Sequence, residues 1–136
     1  MKSPCCLIAA VLLSLIPVLS HSGDWFSPPT TGDIALMAVN TALIGVDWGQ
    51  SRYIAEHPDD YREVNPILGA HPSTGKVNTY FSAALPLYWL TAWALPPKED
   101  HGYKSIINRE YFSIAVAIME GATVGNNLAI GIGVKF

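Results

Sequence analysis

Asp47 and Glu120 are acids set inside long apolar runs, where a charge needs a partner or a cavity. Amides lie near them in the chain: Asn40, Asn78, Asn126 and Asn127, with Asn65 in the intervening loop. Turned inward together, they would form a polar cluster able to relay a proton or ion, or to hold a polar headgroup. The same groups can instead hydrogen-bond one helix to another, and that structural use is the heavier expectation. Glu63 is a third acid of interest, because Asn65-Pro66 can turn the chain back and bring Glu63 towards Arg52 or the helix ends. If the chain carries out chemistry, Asp47, Glu63 and Glu120 are its candidate catalytic groups.

Other chemistries have weaker signatures. His57 lies near Asp59, Asp60 and Glu63, but the spacing matches no zinc pattern, so no metal is expected. His71-Pro72-Ser73-Thr74-Gly75-Lys76 ends like a phosphate loop and lacks its glycine-rich start and its strand. No dinucleotide fingerprint or nucleophile elbow is present, and no cofactor is expected. The net charge of −3 argues against nucleic acid as a partner, since that needs a basic patch.

The elements that must position the acids follow from composition. The chain has 136 residues, 50% of them hydrophobic and 14% charged, and a mean hydropathy of +0.27. One domain fits that length, and membrane segments explain the apolar excess better than a soluble core does. Residues 1–22 read as a secretory signal peptide, cleaved after Ser20 or Ser22, or as an uncleaved signal anchor. Its apolar run is about 13 residues, short of the roughly 20 that a span requires. Cys5 and Cys6 are the only cysteines and precede that run, which excludes a disulfide framework in a processed chain.

Three further apolar stretches predict helices over about 34–54, 77–95 and 111–134, together forming an all-α membrane bundle of three spans. With an uncleaved leader there would be four. Asp33 is placed to cap the first. Asn40, Ile44, Asp47 and Ser51 share one of its faces. Pro86 should kink the second, and Pro96-Pro97 ends it. In the third, Glu120, Thr123 and Asn127 form a polar stripe, and Gly121 and Gly125 form a small-xxx-small pair suited to close helix packing. The end of the chain also alternates from Leu128 to Phe136, like a closing barrel strand, but no other segment supplies a barrel. The loop before Asp33 lacks Lys and Arg, which places it outside; loop 55–76 is then cytoplasmic and loop 98–110 external.

Asp47-Trp48-Gly49-Gln50-Ser51-Arg52-Tyr53-Ile54-Ala55, Glu63-Val64-Asn65-Pro66-Ile67-Leu68-Gly69, His71-Pro72 and Val77-Asn78-Thr79-Tyr80-Phe81 carry a resemblance. The chain resembles small bacterial membrane or exported proteins that pair a helix-borne Asp with a downstream Glu-x-Asn-Pro-[Ile/Leu] segment. That family has no assigned activity. The resemblance implies a compact helical membrane protein in which Asp47, Glu63 and Asn65 belong to one unit.

The sequence therefore predicts a small multi-spanning protein of the bacterial inner membrane with a non-catalytic accessory or structural role. Its partners would be the lipid bilayer and a second copy or another membrane protein. The competing readings are a membrane-embedded enzyme or carrier using Asp47 and Glu120, and an exported protein of the periplasm or outer membrane.

Overall fold

The computed structural model describes residues 26–98 and 107–136. The leader at 1–22, with Cys5 and Cys6, and His101 lie outside the described residues. Within them the protein is all-α: α1 spans Thr31–Glu56, α2 Thr74–Ala94 and α3 Arg109–Ala129.

Each helix start is fixed by a side chain. Thr30 caps α1, accepting from the Asp33 amide at 3.2 Å, and Asp33 accepts in return from the Thr30 amide at 2.8 Å. This reciprocal capping box satisfies two donors at once. It also moves the start upstream of the expected one: Asp33 lies in the first turn, and Thr30 is the cap. Ser73 caps α2 and Asn108 caps α3 by the same chemistry. α2 runs on through Pro86, which lies on the exposed side.

The end of α3 differs from the expected boundary near 134. Gly131 takes φ 84, and the Gly131 and Ile132 amides donate to the carbonyls of Leu128 and Asn127. That is a Schellman motif, which closes a helix where glycine permits the left-handed turn. Residues 130–136 then form an extended tail along α1, with no strand among the described residues. The Lys135 amide donates to the Gly49 carbonyl at 3.1 Å, and the Lys135 ammonium pairs with Glu56. Gly49 makes this approach possible, since a Cβ there would lie 2.5 Å from Val134 Cγ1.

Hydrogen bonds set the topology. Asn40 bonds Tyr88 and Trp48 bonds Asn78, so α2 runs antiparallel to α1. Asp33 meets Arg109 and Gln50 meets Asn127, so α3 runs parallel to α1. Met37, Ile44, Val77, Phe81, Tyr88 and Ala92 form the apolar core, and Leu68 enters it from the loop between α1 and α2. Trp48 stacks on Phe81 at 5.9 Å.

Two expectations about packing change. No described helix is long and apolar enough to cross a membrane. The reason is the polar residues within each: Asn40, Thr41, Asp47, Gln50, Ser51 and Arg52 in α1, Lys76, Asn78, Thr79, Ser82 and Thr91 in α2, and Glu120, Asn126 and Asn127 in α3. Gly121 and Gly125 do not bring helices together among the described residues, because a Cβ at either position would meet nothing within 4 Å.

The tail gives a testable consequence. Gly49→Ala should lower the unfolding temperature of the full chain, with an overpacking cost of about 1–3 kcal/mol. In a chain ending at Ile130 the same change should be neutral or favourable, because Ala exceeds Gly in a helix by roughly 0.5–1 kcal/mol. Equal effects in both backgrounds would show that the tail does not rest on Gly49.

Candidate functional site: a polar seam between α1 and α3

Asp33, Asn40 and Asp47 recur every seven residues on α1, and Ser113, Glu120 and Asn127 do so on α3. Seven residues make almost two helical turns, so each set keeps one face. Because α1 and α3 run parallel, the two faces meet as successive layers.

The first layer is built on Arg109, whose side chain is fully buried. Its guanidinium donates to Asp33 Oδ2 at 3.1 Å, to the carbonyls of Ala92 at 2.7 Å and Ser27 at 2.8 Å, and to those of Trp93 and Leu95 at 3.1 Å. Ala92, Trp93 and Leu95 stand at the carboxyl end of α2, where carbonyls lack helical partners and a cation is favoured. Burial acts to raise the Asp33 carboxyl. The Thr30 amide and hydroxyl and the Arg109 guanidinium outweigh it and hold Asp33 below its ordinary value.

In the second layer the Asn40 amide donates to Tyr88 Oη at 2.7 Å and to the Ser113 carbonyl at 2.8 Å. In the last, Asn127 donates to Gln50 Oε1 at 3.1 Å, and Gln50 donates to the Val124 carbonyl at 3.4 Å.

Between them lies the layer of Asp47 and Glu120. Asp47 is 8% exposed, and among the described residues it has no hydrogen-bond partner. The charges of Glu120 and Glu63 both act on it. Glu120 Oε2 is sealed from solvent without a partner. Glu63 is buried, accepting from Ser51 Oγ at 2.7 Å and from the Asn65 amide at 2.9 Å. Its partner is thus Ser51, where the sequence suggested Arg52 or a helix end.

The amides do not form one cluster. Asn40 and Asn127 belong to separate layers, and Asn78 accepts from the Trp48 indole at 2.9 Å. Asn65 shapes its loop, accepting from the Ile67 amide at 3.0 Å, and Asn126 is exposed. His57 stacks on Tyr53 at 4.1 Å, while Asp59 and Asp60 face solvent. Among the described residues, no group of three or more His, Cys, Asp or Glu could hold a metal ion.

Sequence reasoning missed Arg109, Gln50, Ser113 and Tyr88. Arg109 read as one more basic residue of a loop. The seven-residue recurrence signalled Ser113, and Asn108 as a cap signalled that Arg109 lies inside α3; Gln50 and Tyr88 had no comparable signal.

No family model, curated protein or solved structure matches this chain.

Two outcomes follow from the Arg109 layer. Arg109→Met should destabilise the fold by about 3–5 kcal/mol, because it strands the buried Asp33 carboxylate. Arg109→Lys should rescue little, since one ammonium cannot reproduce the guanidinium fork. Thermal unfolding followed by helical circular dichroism reads both, and a near-native Arg109→Lys would contradict the assignment. The depressed Asp33 carboxyl contributes stability above its unfolded value near 3.8, and that contribution is lost as pH falls through the lower folded value. The unfolding temperature should therefore drop on acidification below about pH 4, and less steeply in Asp33→Asn.

Proposed function

We propose that this chain is a small multi-spanning protein of the bacterial inner membrane with a structural or accessory role, its helices crossing the bilayer together as one bundle. The observation that carries this reading is an inversion of polarity. Asn40, Gln50, Ser51, Arg109, Ser113 and Asn127 are buried. Leu90, Ile118 and Met119 on the outer faces of α2 and α3 are 59%, 67% and 69% exposed. Soluble monomers seldom expose apolar surface of this extent, and lipid is the solvent that favours it.

The inversion also bears on the modest hydropathy of each helix. A mean along one helix counts the seam-facing side chains together with the outward ones. Only the outward ones would meet lipid, and there the charges are few: α2 carries none from Val77 to Ala94. In the apolar middles of α1 and α3, Asp47 and Glu120 both turn to the seam.

Dimensions agree with a bilayer. Residues 34–54 of α1 extend for about 30 Å, the thickness of a hydrocarbon core. Phe26, Trp89, Trp93 and Tyr111 are exposed towards one end of the bundle. The half-buried Tyr53 and Tyr61, their rings 5.7 Å apart, stand towards the other. Aromatic residues favour these two interfaces. Three of the four seam layers spend their polar groups on joining helices, which suits a packing or accessory role. The resemblance to small bacterial membrane or exported proteins points the same way.

The reading is tested on membrane fractions. The protein should stay in the pellet through alkaline carbonate extraction. In a background lacking Cys5 and Cys6, Leu90→Cys and Ile118→Cys should resist an impermeant maleimide until detergent is added, while Asp59→Cys reacts from one side. Release into the carbonate supernatant, or ready labelling at 90 and 118 in intact membranes, would overturn it.

A further inference from the structure

We propose that the Asp47–Glu120 layer of the seam is a proton-binding site, in which one carboxyl carries a proton and donates it to an oxygen of the other. The contrast with the remaining layers carries the inference. Arg109 with Asp33, Asn40 with Ser113, and Gln50 with Asn127 are all closed by hydrogen bonds across α1 and α3. Asn40 Oδ1 is itself buried without a partner, but its layer is still joined through the Asn40 amide nitrogen; among the described layers, only the carboxyl layer has no hydrogen bond joining α1 to α3. Asp47 is more than nine-tenths buried without a hydrogen-bond partner, and on the facing helix Glu120 Oε2 is sealed from solvent and also unpartnered.

Two acceptor-only carboxylates cannot close a hydrogen bond between them, and their like charges repel strongly in a poorly polarisable interior. A single proton removes both problems, because the protonated group becomes a donor and the layer falls to one negative charge. The proton comes from water and returns to it, so no other reactant is consumed.

Among the described residues, no nearby cation does this instead. α2 brings only Lys76, whose ammonium donates to the Leu68 carbonyl at 2.6 Å. Arg52, on α1 itself, acts on Glu56, as does Lys135 from the tail. The loop between α1 and α2 contributes Glu63, a third negative group, engaged by Ser51 and by the Asn65 amide. With three acids and, among the described residues, no counter-cation facing the layer, the ligand that fits is the proton.

The inference goes beyond the accessory role and rests on burial by the bundle's own helices. Release by carbonate would overturn the membrane reading and leave this one standing. Infrared spectroscopy of the purified full-length protein tests it directly. A protonated-carboxyl C=O band should persist at pH 7, shift in heavy water, and be lost or displaced in both Asp47→Asn and Glu120→Gln, but not in Asp59→Asn. Wild-type thermal unfolding supplies a measurement that needs no variant at the layer. Losing the shared proton brings two charges together, so the unfolding temperature should be higher at pH 6 than at pH 9. Absence of the band at pH 7, a band untouched by both layer variants, or no stability difference between pH 6 and pH 9 would overturn the proposal.

Discussion

The Arg109 guanidinium is the joint on which the described structure turns. All three of its nitrogens donate, reaching Asp33 at the start of α1, three carbonyls around the end of α2, and Ser27 in the approach to α1. Each contact answers a need that exists without it. The α2 carbonyls have no helical partner, Asp33 is already committed to the Thr30 cap, and the guanidinium itself has left water. All three helix ends are fixed relative to one another by one side chain, which sets the register of everything further down the seam.

That register explains why the interior can be polar and still specific. Seven-residue recurrence on two parallel helices brings Asn40 opposite Ser113, and further along Gln50 meets Asn127. Shifting α3 by one residue would separate all of these pairs at once. Apolar side chains tolerate small slips, whereas buried amides left without partners do not, each costing about 1–3 kcal/mol. The apolar residues of the core lie mainly where α2 joins α1, through Trp48 on Phe81 and Met37 near Tyr88. α1 therefore has two faces with different jobs, cohesion towards α2 and alignment towards α3.

Much of this was legible in the chain. The three helices follow from apolar runs separated by Pro- and Gly-rich loops, and Asp47 and Glu120 stand out because they interrupt those runs. The helix boundaries were less legible, since Thr30 and Asp33 are both good caps, and only the pair acting together shows which is the cap residue. The apolar alternation after Leu128 concealed the stop at Gly131, which depends on one backbone angle. Arg109 was hidden because a cation beside a loop is usually solvated. Its burial becomes evident only once the far ends of two other helices are known to meet there. Gly121 and Gly125 advertise a close approach, yet the α1–α3 contact runs through Ser113, Val124 and Asn127, off that pair.

The parallel pairing of α1 and α3 has a consequence for biogenesis. The bonds that satisfy the polar face of α1 reach 73 to 77 positions along the chain. While the ribosome is still making α2, Asp33, Asn40, Asp47 and Gln50 have no α3 to meet. Until the last helix emerges, those groups must find other partners, water foremost among them. A chain interrupted before Arg109 leaves that polar stripe of α1 without the partners that α3 supplies.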